Sequence, residues 1–475
     1  MYINGEWVKN NDILKITNPV NGEVVGEVYQ SGEKETEYAI KAAQDAFPVW
    51  AGLTAEERSA YLYKVIDKLK EKKEHLAQTI TKEMGKPIVN ARAEVNSTIA
   101  YFKWFAEEAR RVYGEIIPSS FPNKRISVIK QPVGVVAAIT PWNFPLSMGA
   151  RKLGPALAVG CTVILRPSRE APLSSLELVK ILDEAGLPNG VVNLLIGGTK
   201  EIVAPIMASE LVRKISFTGS TDVGKILTKQ SADTLKRVSM ELGGHAPFIV
   251  FDDADLDLAV EGAIRSKFIS AGQQCVCANR IYVHDNIYDE FSRRFTERSK
   301  ELVIGDGLNE STSIGPLVNS SAVRKVVEQV EDAVNKGAKL LCGGSKLEGE
   351  AYEQGSFYPP TVLGDVTEEM IITFEETFGP VAPLIRFTTE KEVLQKANHT
   401  KYGLAAYFFT NDASRVHRVA EELEYGMVGI NDPSPFSVQS PFGGVKESGV
   451  GREGGKQGIE DYLVIKTISH QFKLQ

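Results

Sequence analysis

Apolar residues follow two different spacings along the chain, and the change falls near residue 132. Before that point, segments 37–50 and 55–85 carry apolar residues every three or four positions, which is typical of helices that bury one face. Gly85 and Pro87 interrupt the second segment. After residue 132, short apolar runs alternate with helical stretches, a pattern that predicts a parallel sheet covered on both faces.

The strand-like runs form two sets, separated near Gly243–Gly244, where we place a domain boundary. The first set comprises VGVVAAIT (133–140), CTVILRPS (161–168), VVNLLIG (191–197) and KISFTGS (214–220). The second set comprises APFIVF (246–251), RIYVHD (280–285), GAKLLCGG (337–344), PLIRFTT (383–389) and AAYFFT (405–410). Two further strand-like segments, 124–136 and 459–472, lie far apart in the sequence. We expect them to pair in a protruding sheet, within the chain or between subunits.

The composition excludes several classes of protein. With 475 residues and 43% hydrophobic content, the chain can bury a large core in two or three domains. Charged residues make up 24%, the net charge is −7, and no basic cluster favours nucleic acid or an anionic membrane. The N-terminal residues MYINGEWVKN lack the features of a secretory signal, and no run reaches the roughly 18 apolar residues of a membrane-spanning helix. We therefore expect a cytoplasmic protein.

Two glycine patterns resemble phosphate-binding loops. The segment 449–454, GVGREG, lacks the preceding strand and following helix of a dinucleotide site, so a tight turn is the favoured interpretation. The segment 219–226, GSTDVGKI, nearly matches an ATP-binding loop, but Ile226 cannot supply a hydroxyl to magnesium. A strand followed by a helix that starts at Ser220 still suits an anion at the helix N-terminus. The alternative is that Ser220 or Thr221 only caps the helix.

The segment 269–280, ISAGQQCVCANR, contains Cys275 and Cys277, two of the four cysteines. A structural zinc site needs four Cys or His ligands, and neither the isolated Cys161 and Cys342 nor the six histidines supply them, so we predict no metal. A stable disulfide is not the default in a reducing compartment. The pair is then either inert core or a thiolate nucleophile beside a bystander, and composition and spacing leave both open.

Six short motifs occur in order along the chain: ITPWNFP (139–145), FTGSTDVG (217–224), MELGG (240–244), FISAGQQC (268–275), EETFGPV (375–381) and PFGGVKESGVGRE (441–453). In this order and at this spacing they resemble the aldehyde dehydrogenase superfamily. The stretch ELGGHAPFIVFDDADLDLAVEGAI, followed by GQQCVCANR, is most similar to the succinate-semialdehyde dehydrogenases within it. The resemblance covers essentially the whole chain.

The resemblance implies an α/β protein with the aldehyde dehydrogenase fold. Residues 1–112 and 132–242 correspond to a cofactor-binding domain with a Rossmann-like parallel sheet, and residues 243–441 to an α/β catalytic domain. Residues 113–131 and 442–475 correspond to a β oligomerisation arm and the C-terminal segment. The resemblance also implies a homodimer or homotetramer.

The implied reaction is oxidation of an aldehyde to a carboxylic acid with NAD or NADP. Cys275 matches the family's nucleophile, Glu241 its general base, and Asn143 the amide that stabilises the oxyanion of a thiohemiacetal. Hydrolysis of the resulting thioester is expected, since relatives that transfer the acyl group to coenzyme A generally lack the glutamate. A phosphate-binding protein without dehydrogenase activity is the alternative from another class, and the presence of all three residues argues against it.

Cofactor contacts follow from the same motifs. The matching residues are Thr140, Trp142, Asn143, Arg166, Ser168, Arg169, Gly219, Ser220, Leu242, Glu376 and Phe378. The family pattern K-P-S-E or K-P-A-S is RPSR here, so Arg169 stands where NAD-preferring members carry a glutamate that binds the adenosine ribose. A glutamate would repel a 2′-phosphate and an arginine would attract it, which favours NADP, with NAD as the alternative.

The substrate contacts depart from the succinate-semialdehyde pattern at one position. Arg151 and Ser437 match the arginine and serine that hold the distal carboxylate, whereas the second arginine is replaced by Ile269. Succinate semialdehyde remains the first choice, and another short aliphatic or aromatic aldehyde is the alternative. Some relatives share the C-x-C pattern and close it into a reversible disulfide, so Cys277 is a possible redox partner of Cys275.

Overall fold

The structure, a computed structural model, describes residues 1–473 and contains within them twenty β-strands and fifteen α-helices. The strands are β1 (Tyr2–Ile3), β2 (Glu6–Trp7), β3 (Ile13–Thr17), β4 (Val24–Tyr29), β5 (Glu115–Ile117), β6 (Lys124–Pro132), β7 (Val135–Ile139), β8 (Thr162–Arg166), β9 (Val192–Leu194), β10 (Val212–Thr218), β11 (Arg237–Glu241), β12 (Ala246–Val250), β13 (Ala278–His284), β14 (Lys339–Cys342), β15 (Thr361–Gly364), β16 (Val381–Phe387), β17 (Ala405–Phe409), β18 (Met427–Ile430), β19 (Gly449–Val450) and β20 (Leu463–Gln471). The helices are α1 (Glu33–Gly52), α2 (Ala55–Glu71), α3 (Lys73–Met84), α4 (Ile88–Glu108), α5 (Ser147–Val159), α6 (Leu173–Glu184), α7 (Thr199–Ala208), α8 (Thr221–Ser231), α9 (Leu256–Phe268), α10 (Tyr288–Lys300), α11 (Ser320–Asn335), α12 (Glu350–Glu353), α13 (Glu390–Asn398), α14 (Ala413–Glu422) and α15 (Gln457–Glu460).

The first sheet is built around five parallel strands in the order β11-β10-β7-β8-β9. Along β7, Val136 and Ala138 enter one hydrophobic core, whereas Val135, Ala137 and Ile139 enter the core on the opposite face. Both faces of the strand are therefore buried, which explains why its sequence is continuously apolar. Short antiparallel strands complete the sheet, β1 and β2 at one edge and β19 at the other.

The N-terminal helices pack beside this sheet, with α4 lying against both α2 and α5. The periodic segment 55–85 forms two helices, α2 and α3, because the backbone leaves helical geometry at Lys72 (φ −100°, ψ 13°). The second of them ends at Gly85 in a left-handed conformation with φ 77°. A Cβ at that glycine would lie 2.4 Å from the ring of Pro316, so no other residue fits there without a shift.

The second sheet has the order β14-β15-β16-β13-β12-β17-β18, and all neighbouring strands are parallel except β14 and β15. It contains all five runs of the second predicted set, together with β15 and β18, which the apolar pattern did not single out. The chain passes from the first sheet to the second between Glu241 and Ala246. The predicted α/β class is confirmed.

The third sheet joins the two outlying segments of the sequence. Antiparallel pairing of β20 with β6 runs from Leu463 opposite Pro132 to Gln471 opposite Lys124, and β5 adds a third strand. The pairing is therefore made within one chain. Not all of the C-terminal segment belongs to this sheet, since β19 joins the first sheet, and the last residues, 474–475, lie outside the described range. A role for the third sheet in oligomerisation stays a prediction.

The two glycine patterns differ in structure. In segment 449–454, Gly449 begins β19, and Gly451 and Gly454 follow it with positive φ angles, so the segment is not a strand-to-helix connection. Ser220, by contrast, follows strand β10 and is the N-cap of α8, as the sequence predicts. Across residues 1–473, each helix is too short or too polar to cross a membrane.

Candidate active site

Cys275 lies where two cavities meet, each of about 330 Å³. The first, which we term the strand-end cavity, is lined by Pro141, Trp142, Asn143, Met148, Thr218, Gly219, Ser220, Leu242, Gly243, Cys275, Val318, Asn319, Ala322, Lys325, Glu376, Thr377 and Phe378. The second, the Arg151 cavity, is lined by Asn90, Ala93, Glu94, Ser97, Tyr101, Phe144, Ser147, Met148, Arg151, Ile269, Ser270, Gln274, Cys275, Val276, Ser434, Phe436, Ser437, Val438 and Phe442. The thiol can thus contact molecules that approach from two sides.

A left-handed turn between α9 and β13 positions the cysteine. Ser270, Ala271 and Gly272 have φ angles of 52°, 56° and 73°. Such a run is unusual for residues with side chains. Gly272 is required because a Cβ there would lie 2.3 Å from the backbone oxygen of Gly379. Because of this turn, the chain departs from the direction of α9, and Cys275 lines both cavities.

Gln273 fixes this turn to its surroundings. Its side-chain oxygen accepts a hydrogen bond of 2.9 Å from the Val318 amide, and its side-chain nitrogen donates to the Ser270 and Pro316 carbonyls at 3.2 and 3.3 Å. Its own carbonyl accepts a hydrogen bond of 3.0 Å from Nδ2 of the buried Asn143. The amide expected to stabilise an oxyanion is thus tied to the turn that carries Cys275.

The thiol of Cys275 is protonated at neutral pH in this state. Burial raises its pKa to about 12, and the charge of Arg151 opposes the shift only in part. The carboxylates Glu376 and Glu241 raise the pKa further because they repel a thiolate. The nucleophilic form therefore needs a base or an added positive charge in the site.

Glu241 ends strand β11 and is buried, with 4% of its surface exposed. It is not among the described residues that line either cavity. Its Oε1 would lie 2.8 Å from a Cβ placed at Gly443, and its Oε2 has no hydrogen-bond partner within residues 1–473. Burial, and next the charge of Glu453, raise its pKa well above the usual value. A carboxylate with a raised pKa is a better proton acceptor at neutral pH.

Aromatic and acidic residues line part of the strand-end cavity. The rings of Trp142 and Phe378 meet edge to face, with centroids 5.5 Å apart, and Phe378 has a left-handed φ of 53°. Glu376 accepts a hydrogen bond of 2.9 Å from the Gly244 amide, and Lys325 donates to its backbone oxygen at 2.5 Å. Burial raises the pKa of Glu376 to about 7.

Polar atoms at the carboxyl ends of the first sheet lack partners. Oγ1 of Thr140, after β7, and Nε of Arg166, at the end of β8, are buried without a hydrogen bond to any described residue. Gly219 and Ser220 lie at the N-terminus of α8, and Leu242 packs against that helix at Gly224. Carboxyl ends of parallel strands beside a helix N-terminus are the usual place for a nucleotide phosphate.

The RPSR segment lies outside the strand-end cavity. Arg169 is exposed and lines a neighbouring cavity of about 520 Å³, which shares Val318 and Asn319 with the strand-end cavity. Ser168 is half-buried and accepts a hydrogen bond of 3.3 Å from the Glu170 amide. Burial, and next the charge of Arg169, lower the pKa of Arg166. Two neighbouring guanidinium groups make this segment attractive to anions.

Arg151 supplies a positive charge inside its cavity. Its guanidinium group lies between two rings, 4.9 Å from the centroid of Tyr101 and 4.4 Å from that of Phe442. Nε and Nη1 are buried and make no hydrogen bond within the described chain, and the nearest carboxylate oxygen, on Glu453, is 4.0 Å away. Buried donors of a charged group are normally satisfied, so these two are available to an anionic ligand.

The other two predicted substrate residues also line the Arg151 cavity. The hydroxyl of Ser437 is exposed and lies 3.2 Å from that of Ser440. Ile269 is 37% exposed and presents an apolar side chain where the related pattern has a second arginine. Arg151 is thus the one cationic side chain among the described residues of this cavity lining.

Cys277 is turned away from both cavities. Its thiol is 1% exposed and donates a hydrogen bond of 3.5 Å to the Lys267 carbonyl, and burial raises its pKa. All four cysteines of the described structure are free thiols. A disulfide between Cys275 and Cys277 stays a prediction.

The sequence patterns did not predict three buried or half-buried charged residues near the site, two lysines and one glutamate. Lys325 supports Glu376, while Lys86 and Glu94 form a buried ion pair behind Asn143. A signal for Glu94 exists in the sequence, because it occupies the apolar stripe of α4 between Ala91 and Thr98, where a charge is out of place.

The aldehyde dehydrogenase family model matches residues 7–468, almost the whole chain. The chain belongs to the aldehyde dehydrogenase family. Among curated relatives, this aldehyde dehydrogenase is 53% identical to the glutarate-semialdehyde dehydrogenase of Pseudomonas putida, over 98% of this chain and 96% of the relative. It is 50% identical, with the same coverage, to the NADP(+) succinate-semialdehyde dehydrogenase of Escherichia coli and to the 3-sulfolactaldehyde dehydrogenase of Pseudomonas putida.

Solved structures have the same fold as this aldehyde dehydrogenase over nearly its whole length. An NADP-dependent enzyme of E. coli is 50% identical, with a TM-score of 0.97 over 99% of this chain and 98% of that one. Betaine aldehyde dehydrogenase from Staphylococcus aureus, in complex with NAD+, is 38% identical, with a TM-score of 0.97 over 100% and 95% of the two chains. The predicted fold and enzyme family are confirmed.

The raised pKa of Cys275 predicts a characteristic pH dependence in the enzyme without cofactor. Below the pKa, the thiolate fraction rises about tenfold per pH unit, so alkylation by iodoacetamide should accelerate about tenfold for each pH unit, or about a hundredfold from pH 7 to 9, without a plateau. Alkylation at each pH is measured by mass spectrometry of the peptide that carries Cys275. Cys275→Ser is the control for reaction at the half-buried Cys342. A rate that levels off below pH 8 would contradict this assignment.

Proposed function

We propose that this aldehyde dehydrogenase oxidises a short aldehyde with a distal carboxylate to the corresponding acid, with succinate semialdehyde as the first choice and NADP as the preferred cofactor. The observation that carries the proposal is the buried guanidinium group of Arg151, whose Nε and Nη1 lack partners within residues 1–473. It lines the same cavity as Cys275, so an anionic group bound there leaves the other end of a short substrate near the thiol.

The first step is nucleophilic attack at the aldehyde carbon. The sulfur of Cys275, as thiolate, forms a C–S bond while the carbonyl π electrons move to oxygen, giving a thiohemiacetal anion. Nδ2 of Asn143 and the backbone N–H of Cys275 are the proposed donors to that oxygen. The hydrogen bond from Asn143 to the Gln273 carbonyl keeps the amide beside the turn that carries the cysteine.

The residues of the strand-end cavity fit a nicotinamide cofactor. Thr140 and Arg166 offer unpartnered buried polar atoms to a dinucleotide, and Gly219 and Ser220 offer the N-terminus of α8 to its phosphates. Glu376 and Phe378 line the same cavity as Cys275 and would hold the nicotinamide ribose and ring. A bound nicotinamide cofactor supplies the hydride acceptor for the oxidation.

Hydrolysis of the thioester on Cys275 completes the reaction. Glu241 is the proposed base: its carboxylate takes a proton from water as the water oxygen forms a bond to the acyl carbon and the C–S bond breaks. The unpartnered Oε2 and the raised pKa suit that role. The carboxylate lies against Gly443 and lines neither cavity, so we expect its side chain to rotate before it acts on the thioester.

The relatives favour an acidic substrate without choosing among chain lengths. Their names specify succinate semialdehyde, glutarate semialdehyde and 3-sulfolactaldehyde, all of which carry an anionic group in addition to the aldehyde. Arg151 alone supplies the cationic charge in the described lining of its cavity, and Ile269 adds apolar surface. One guanidinium group suffices to select an anionic substrate. Without a second arginine, selection of the four-carbon succinate semialdehyde over the five-carbon glutarate semialdehyde is weaker.

The preference for NADP rests on Arg169. Its guanidinium group is exposed next to that of Arg166, and a 2′-phosphate carries the charge that both attract. The E. coli relatives, one a curated enzyme and one a solved structure, are both described as NADP-dependent.

The proposal also includes association of subunits through the third sheet. Ile116, Ile465 and Ile468 lie on this sheet and are 77%, 71% and 43% exposed. Ile116 and Ile468 both lie opposite Ser127 and share one face of the sheet, whereas Ile465 lies on the other face. Exposed isoleucines on this sheet favour burial against another subunit, in line with the dimer or tetramer that the sequence predicts.

Replacement of Arg151 should separate anionic from neutral substrates. Arg151→Met keeps the packing between Tyr101 and Phe442 but removes the charge, so kcat/KM for succinate semialdehyde should fall about 10- to 100-fold, the value of one charge-assisted hydrogen-bonded contact. Butanal, of equal length and without charge, should lose less than about threefold. Rates are followed at 340 nm with NADP, with Cys275→Ala as the blank. Equal losses on both aldehydes would contradict the proposed anion site.

Restoring the missing charge should narrow the substrate range. Ile269→Arg places a second guanidinium group in the Arg151 cavity, so kcat/KM for succinate semialdehyde should rise about tenfold or more. Ile269→Met is the matched control for side-chain length. If the arginine variant gained nothing over the methionine variant on a panel of carboxylated aldehydes, position 269 would have no part in selecting the substrate.

Reversing the charge at position 169 should change the cofactor preference. Arg169→Glu should lower kcat/KM for NADP about tenfold or more and leave that for NAD within about threefold, because only NADP carries the 2′-phosphate. Arg169→Gln should give an intermediate ratio. The proposal fails if the wild type already prefers NAD or if the glutamate variant loses both cofactors equally.

A further inference from the structure

A buried ion pair lies directly behind the loop that carries Asn143. The side chains of Lys86 and Glu94 are both fully buried, with 2.5 Å between Nζ and Oε2. Lys86 also donates a hydrogen bond of 2.8 Å to the backbone oxygen of Asn143, and its ammonium group lies 3.8 Å from the ring centroid of Phe144. The lysine therefore contacts the backbone of the residue whose side chain is the proposed oxyanion donor.

The glutamate holds the other end of the same loop. Its second oxygen, Oε1, accepts hydrogen bonds of 3.0 and 3.1 Å from the amides of Leu146 and Ser147, where helix α5 begins. A carboxylate at a helix N-terminus satisfies amides that have no partner inside the helix. Together, Lys86 and Glu94 hold both ends of the segment 143–147 by hydrogen bonds to its backbone.

Stability is a weak reason for such a pair. Two fully buried charges lose their hydration, and a well-packed apolar pair of the same volume is often as stable or more so. A buried pair does, however, define geometry, because both groups are rigidly hydrogen-bonded to backbone atoms. Here, those backbone atoms belong to the loop between the two cavities.

We propose that Lys86 and Glu94 are positioning residues for the reaction and act through Asn143. The Lys86 ammonium group fixes the Asn143 carbonyl and Glu94 fixes the start of α5, so that Nδ2 of Asn143 stays at the Gln273 carbonyl beside Cys275. The inference rests on the proposed role of Asn143 as oxyanion donor. It assigns no contact with substrate to Lys86.

A double-mutant cycle tests this directly, since a residue that acts only through another loses its effect when that other is removed. The variants are Lys86→Met, Asn143→Ala and their combination, and Asn143→Ala keeps the backbone oxygen that Lys86 contacts. The readout is kcat/KM for succinate semialdehyde with NADP, together with the Kd for NADP from quenching of tryptophan fluorescence. Lys86→Met should lower kcat/KM about tenfold or more in the wild-type background, less than about twofold in the Asn143→Ala background, and leave Kd unchanged.

Glu94→Gln covers the case in which Lys86→Met does not fold. The glutamine oxygen can still accept from Leu146 and Ser147, while the ionic partner of Lys86 is lost. The same cycle with Asn143→Ala then applies, and thermal unfolding checks each variant.

The outcomes distinguish a failure of the positioning role from a failure of the proposed oxyanion role of Asn143. If Asn143→Ala alone leaves kcat/KM unchanged, the proposed oxyanion role fails and this inference falls with it. If Asn143→Ala lowers kcat/KM but the Lys86 or Glu94 variant lowers it by the same factor in both backgrounds, only the positioning role is overturned. A fall in NADP affinity that accounts for the whole effect would also overturn it.

Discussion

The position of the Cys275 thiol depends on one left-handed turn. Ser270 and Ala271 adopt a backbone conformation that costs about 1–2 kcal/mol for each residue with a side chain, and Gly272 completes the turn where the Gly379 carbonyl leaves no room for a Cβ. The hydrogen bonds of Gln273 to three backbone groups and to the Asn143 side chain offset that cost. The turn follows the end of α9 at Phe268 and carries the chain to Cys275, which lines both cavities.

Burial also sets the charges around the thiol. The site concentrates carboxyl groups with raised pKa values, Glu241 and Glu376, beside a cysteine whose pKa burial raises in turn. Arg151 is the main opposing charge, and it is held by two aromatic rings rather than by a carboxylate. That arrangement leaves its donors to an anionic ligand, whereas a close ion pair with Glu453 would occupy them.

Much of the architecture follows from local patterns. The apolar runs predict most of the parallel strands of both main sheets, since a strand buried on two faces has no polar positions to alternate, but they do not predict β11, β15 or β18. Local patterns do less well where a break has no glycine or proline: the change from α2 to α3 at Lys72 occurs within an uninterrupted periodic segment. The pairing of β6 with β20 is visible only as two strand-like segments, because nothing local states which strand lies beside which.

The sequence by itself determined the fold class and the family, because six motifs at the family's spacing specify both, and the same motifs name the proposed site residues. Only the tertiary structure decided what those residues meet. It placed the Arg151 guanidinium between two rings with free donors, directed Cys277 away from the cavities, and packed Glu241 against Gly443. It also brought the Lys86–Glu94 pair behind Asn143. Such contacts join residues far apart in the chain, and their distances and burial follow from how the sheets and helices pack, which local spacing does not encode.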